Sequence, residues 1–174
     1  MLTMMALAII SLTLTACGDD NDDETADEST KAVAYQFALS FADVDMESDQ
    51  ADLITTTYSF INHRGEEEGG EFCDQFVDNM TIKSQKYTTL PGEVEIVVTE
   101  TLNPDVELTK DKYTVGLKLA LAVNSFNKNG DVVDMASTAS GSGLTIPAAN
   151  LSKIYPKTHH LKFTVDRNGK ITIK

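Results

Sequence analysis

Tyr113-Thr114-Val115-Gly116-Leu117-Lys118-Leu119-Ala120-Leu121-Ala122-Val123-Asn124 alternates bulky apolar side chains with small or polar ones over its whole length. Successive Cβ atoms leave a pleated chain on opposite faces, so a period of two marks a strand. The second face (Thr114, Gly116, Lys118, Ala120, Ala122, Asn124) is small and weakly polar. The run therefore reads as a central strand covered on one side. Asn127-Lys128-Asn129-Gly130 follows it and leads into Val132-Val133-Asp134-Met135. Asn-Gly supplies positive φ at low cost, so this is a hairpin turn between antiparallel strands.

The same period recurs on either side. Tyr35, Phe37, Leu39 and Phe41 alternate with Ala34, Gln36, Ala38 and Ser40. Ile54, Thr56, Tyr58 and Phe60 repeat the pattern, as do Val94, Ile96 and Val98 between Glu93, Glu95, Val97 and Thr99. Met80 and Ile82 open another strand, with Leu90-Pro91-Gly92 as its end. Asp166-Arg167-Asn168-Gly169 joins Leu161, Phe163 and Val165 to Ile171 and Ile173 as a second hairpin. Around Glu66, Glu67 and Glu68, His63-Arg64-Gly65 and Gly69-Gly70 mark a mobile connection. One short helix is expected near 146–155. Thr145 would cap it, Pro147 suits its first turn, Leu151, Ile154 and Tyr155 fall at helical spacing, and Pro156 stops it. About seven or eight strands with no long helical crossover predict an all-β, mainly antiparallel sandwich. The Tyr35, Tyr113 and Leu161 strands would share its core. A lipocalin-like barrel is the alternative, since periodicity does not say whether a sheet closes.

The amino-terminal region has a different character. Leu2 to Leu14 is uncharged and suits the apolar core of a secretory signal, although no Lys or Arg precedes it. It is shorter than the roughly 20 apolar residues a bilayer span needs. Leu14-Thr15-Ala16-Cys17 then gives an aliphatic residue, two small positions and a cysteine. That order resembles a bacterial lipoprotein signal, in which the cysteine is acylated and becomes the mature N-terminus. The resemblance implies a signal peptide over 1–16, lipidation at Cys17 and anchoring to a membrane. An ordinary cleavable signal ending near Ala16 is the competing reading.

Seven acids (Asp19, Asp20, Asp22, Asp23, Glu24, Asp27, Glu28) precede the first base, Lys31. They carry about half of the formal net charge of -13. Like charges at this density, with no apolar residue to organise them, predict a disordered tether over 17–31. Acids directly after a lipidated cysteine also resemble surface-export signals of Bacteroidetes lipoproteins. Residues 32–174 then form a single sandwich domain, long enough to bury a substantial core. The acidic balance argues against nucleic acid, whose phosphates call for clustered Lys and Arg. With Cys17 acylated, Cys73 is the remaining thiol, so no internal disulfide is expected. Cys73 has no neighbouring base to activate it and reads as structural.

A family resemblance follows from several segments. Lys110-Asp111-Lys112-Tyr113-Thr114-Val115 through Asn129-Gly130-Asp131-Val132-Val133-Asp134 resembles an uncharacterised family of Bacteroidetes lipoproteins. So do the Ser-rich Ser137-Thr138-Ala139-Ser140-Gly141-Ser142-Gly143 with Leu144-Thr145-Ile146, the Leu90-Pro91-Gly92 that precedes a strand, and the closing Phe163-Thr164-Val165-Asp166-Arg167-Asn168-Gly169-Lys170. The resemblance implies an immunoglobulin-like sandwich on a lipid anchor and transfers no site residues.

Chemical motifs are sparse. His63, His159 and His160 are the three histidines, with no His-x-His or His-Glu-x-x-His spacing. Adjacent His159 and His160 on a strand face opposite ways, so they read as exposed loop histidines and not as a metal pair. Asp43, Asp45, Glu47, Asp49 and Asp52 form an acid-dense loop, but the turning glycine of a calcium loop is absent. Ser140-Gly141-Ser142-Gly143 is not a Gly-x-Ser-x-Gly elbow. Tyr58, Tyr87, Tyr113 and Tyr155 can stack on sugars or simply pack. No catalytic residue, cofactor or metal ligand is assigned. The expectation is a non-enzymatic binding or accessory module on the bacterial outer membrane, held there by lipid and possessing a protein or glycan partner. The alternatives are a pilus-type structural subunit and a small envelope hydrolase using loop carboxylates.

Overall fold

The computed structural model describes residues 30–43, 48–61, 65–72 and 80–174. The segments 1–16 and 17–29, with Cys17 and the acidic run, lie outside the described residues, as do Asp45, Glu47, His63 and Cys73. The described chain is an all-β sandwich, mainly antiparallel, with a short helix where one is expected. Eleven strands appear among the described residues: β1 (Ala32–Asp43), β2 (Ile54–Ile61), β3 (Glu67–Phe72), β4 (Met80–Lys83), β5 (Gly92–Leu102), β6 (Lys112–Val115), β7 (Leu117–Asn127), β8 (Val132–Ser140), β9 (Leu144–Pro147), β10 (Lys157–Val165) and β11 (Ile171–Ile173). Two short helices join them, α1 (Gln50–Leu53) and α2 (Ala148–Ile154).

One layer has the order β4-β1-β7-β8 and the other β11-β10-β5-β2-β3. The long β1–β7 ladder runs antiparallel from Ala32 opposite Asn127 to Asp43 opposite Leu117. Both expected Asn-Gly hairpins are present, with Gly130 at φ 90° and Gly169 at φ 86°. Side-chain bonds set these turns as well: Asn127 Oδ1 accepts from the Asn129 and Asp131 amides, and Asp166 Oδ1 from those of Asn168 and Lys170. Gly169 also packs so closely on Ala32 that a Cβ would overlap the Ala32 methyl.

The inward faces of the layers meet in a core of Tyr35, Phe37, Leu39, Phe41, Phe60, Tyr87, Val94, Ile96, Val98, Leu119, Leu121, Val123, Phe163 and Val165. Phe37 is its hub. Its ring centroid lies 5.0 Å from Phe60 and 5.6 Å from Phe163, both edge-on, and 6.3 Å from a stacked Tyr87.

The run that decides the fold is two strands and not one. It breaks at Gly116, whose amide leaves the ladder and donates to Gln50 Oε1 at 2.9 Å. Beyond the break, β6 pairs with β9 in a separate two-stranded sheet. Tyr113 and Val115 therefore join a second cluster with Leu53, Ile54, Ile146, Leu151 and Tyr155, outside the main core. Short strands such as β3, β6 and β9 raise the number above the expected seven or eight. The Glu66–Gly70 region is likewise no loose connection, since Glu67–Phe72 pairs with β2. Thr145 does not cap α2. It sits in β9 opposite Thr114, and Pro147 occupies the N-cap with no side-chain bond.

Burial has a consequence at high pH. It raises the Tyr35 and Tyr155 phenols above their ordinary range, and the Glu100 charge adds to the effect on Tyr155. Burial, then the charges of Glu68 and Tyr35, push Tyr87 up to about 12. A raised phenol stays protonated in the folded chain while the unfolded chain ionises near pH ~10. The folded state then holds more protons, so stability is full below that pH and falls as pH rises through it. Thermal melts should show a plateau ending near pH ~10, with part of the phenolate absorbance appearing only as the fold is lost. Phenolate absorbance complete before any loss of melting temperature would contradict this.

Candidate functional site

On β5 the inward face runs Val94, Ile96, Val98 and then Glu100, a carboxylate 1% exposed. Its register neighbours are Thr56 on β2 and Lys157 on β10, so the inner face of the five-stranded layer turns polar at this end. Gln50 Nε2 donates to Glu100 Oε1 at 2.7 Å. His159 Nε2 donates to Glu100 Oε2 at 2.9 Å, and Lys157 Nζ stands 4.0 Å from the same oxygen. Thr56 is fully buried beside them, with no partner for its Oγ1.

Gln50 is itself fully buried and bonds at both ends of its amide, to Glu100 and to the Gly116 N–H. This one side chain ties β5 to the break between β6 and β7, where the two apolar clusters meet. A buried carboxylate is tolerated when donors surround it, and this one has an amide and an imidazole. Both of its oxygens are engaged, so the cluster acts as a structural rivet. Glu100 and Gln50 carry no motif that names them. The signal is parity alone, because position 100 continues the inward series 94, 96, 98.

His159 and His160 lie in β10 and not in a loop. They point to opposite faces, as adjacent strand residues must. His159 turns inward to Glu100, whereas His160 bonds Glu95 on the outer surface at 3.0 Å. Of the acid-dense loop, Asp49 takes a structural post. Its carboxylate accepts from Lys110 Nζ and from the Thr114 amide, the latter at 2.8 Å. Burial works to raise the Asp49 pKa, but these two partners outweigh it and hold the carboxyl below its usual value. Asp52 is exposed on α1. No group of three or more His, Cys, Asp or Glu among the described residues is arranged to hold a metal ion. Ser140 closes β8 and Ser142 lies in the exposed stretch after it.

A cleft of about 720 Å³ opens where β3 and β4, each an edge strand of its own layer, come together. Tyr58, Phe60 and Ile82 form its apolar floor. Glu67, Glu68 and Gly69 stand on one side, with Lys83, Ser84 and Gln85 on the other. The Glu68 charge contributes to the raised pKa of Tyr87, which places that charge near the Tyr87 phenol. Of the four tyrosines with stacking potential, Tyr87, Tyr113 and Tyr155 are buried in packing, and Tyr58 is half-buried in this cleft. The cleft thus sets a half-buried tyrosine among carboxylate, amide and ammonium groups.

Comparison with known proteins gives no match: no family fits the chain, and no curated protein or solved structure is similar to it.

Proposed function

We propose that this protein is a lipid-anchored, non-enzymatic binding module of the bacterial outer membrane, of the Bacteroidetes lipoprotein type with an immunoglobulin-like sandwich. The anchor is Cys17, and the cleft between β3 and β4 is the binding site. The cleft carries the reading. Binding sites are concave and bring a few polar groups together, and this cleft does both, with Tyr58, Phe60 and Ile82 as the apolar part of its lining. Sugar rings suit it best among envelope ligands, because the half-buried Tyr58 lines it beside the polar side chains of Glu67, Glu68, Lys83 and Gln85. The anchor reading rests on the Leu14-Thr15-Ala16-Cys17 order and the polar, acidic residues behind it. Two or more acyl chains on one cysteine give stable anchoring.

One experiment addresses both parts. The full chain is expressed in a bacterial host, partitioned with detergent, and assayed for binding to purified envelope polysaccharides. Wild type should enter the detergent phase and Cys17→Ala should not. Tyr58→Ala should partition like wild type but bind polysaccharide about tenfold more weakly, the loss of one stacking contact. Cys17→Ala remaining in the detergent phase would defeat the anchor. Equal binding by wild type and Tyr58→Ala, or none by wild type, would defeat the cleft as a sugar site.

A further inference from the structure

We propose that β8 is a self-pairing edge, through which two copies of this chain join their four-stranded layers into one continuous sheet. The strand Val132–Ser140 is nine residues long and, among the described residues, has β7 as its one strand partner. Three of the eight exposed large apolar side chains among the described residues lie on it: Val132, Val133 and Met135, the last 61% exposed. Edge strands are normally protected by Lys, Pro, inward charges or shortness. β8 has no Lys, Arg, Glu or Pro. Its one charge, Asp134, faces inward and guards the first part of the strand, its carboxylate accepting from the Ile171 and Met135 amides. The register shift between Ser125 and Phe126 lies at that same end, so Ala136 to Ser140 carry no such device.

The other layer edges differ. β3 carries Glu67 and Glu68, β4 has four residues ending in Lys83, and β11 has three residues between Lys170 and Lys174. In a chain of formal net charge -13, β8 is the edge along which copies can approach without opposing charges.

The strand's own sequence argues that the occupant is a second copy. The Asp134 amide turns toward Ser125 on β7, so the backbone groups of Ser137 and Ala139 turn to the open side with the Met135 carbonyl, while the Met135 amide is held by Asp134 Oδ1. A two-fold antiparallel ladder centred on Ser137 sets Met135 opposite Ala139 of the other copy, and Val133 opposite Gly141. Asp134 then meets Ser140. Large faces small at each step and no charge meets its like, which makes the strand complementary to itself. Such an isologous contact closes as a dimer.

The full chain is made with Cys73→Ser and with Ser137→Cys, then oxidised in the membrane. Ser137 of each copy would sit in a hydrogen-bonded pair with Cα atoms about 5.5 Å apart, within disulfide reach. A disulfide-linked dimer is expected. His160→Cys, on the outer face of the other layer, is the control and should not cross-link. Ser137→Lys, a change at an exposed site, should weaken dimerisation at least about tenfold by placing like charges opposite each other while leaving the melting temperature unchanged. Cross-linking of Ser137→Cys no greater than that of His160→Cys overturns the proposal. So does a monomeric mass for wild type by light scattering in detergent, or exclusive cross-linking of Ser137→Cys to a different polypeptide.

Discussion

Phe37→Ala is expected to destabilise the fold by about 3–5 kcal/mol, the usual range for emptying a buried phenylalanine site. Phe37 is 1% exposed and lies on the ladder that holds β1 between β4 and β7. Its ring touches aromatic partners from both layers, so the vacancy would fall at the seam of the sandwich. Those partners come from two different strands and one bridged loop, so they cannot close the space together by a simple shift. Total stability for a domain of this size is typically about 5–15 kcal/mol, so the variant should sit near the limit of folding. Urea melts read the loss as a lower midpoint at unchanged slope. A loss below about 1 kcal/mol would show that the seam collapses freely and that Phe37 is not the hub.

Gln50→Leu is expected to cost about 3–5 kcal/mol despite its similar volume, because two buried groups lose a partner together. Glu100 Oε1 loses its amide donor, and the Gly116 N–H loses its acceptor. A buried carboxylate short of a donor on Oε1, with His159 left on Oε2, is more costly than a buried apolar pair, so the double variant Gln50→Leu with Glu100→Leu should recover part of the loss. A double-variant cycle by denaturant melting measures that coupling. Strict additivity of the two losses would mean that Gln50 and Glu100 do not act as a unit.

Period-two alternation made most of the sandwich legible, because side-chain direction in a strand follows directly from residue number. The two Asn-Gly turns were legible for an equally local reason, the positive φ that glycine takes without strain. The break at Gly116 was not. A glycine on the small face looks like any other small residue, and its departure from the ladder depends on Gln50, 66 positions earlier. His159 was misread because its partner comes from another strand, and a charged Glu at position 100 reads as solvent-facing until its parity is followed. The cleft depends on where two layers end relative to one another, which no local pattern encodes. Thr145 illustrates competition between local preferences: a residue with capping chemistry was claimed by a strand partner, Thr114.

The β1 register also fixes an up-and-down axis for the molecule. Ala32 rests against Gly169, beside both hairpin turns, while Asp43 comes opposite Leu117, next to the small β6–β9 sheet. Twelve extended residues separate these two poles by roughly 40 Å. If the chain is held through Cys17, as proposed, Ala32 joins the tether at the pole bearing the hairpins. The pole built from α1, α2 and the small sheet is the one farther along the chain's β1 strand from that junction, with Leu144 and Ile154 on its surface. The β8 edge runs lengthwise between the poles, so two copies rooted in the same leaflet and joined antiparallel along it would have to lie over on their sides, turning their long axes toward the membrane plane.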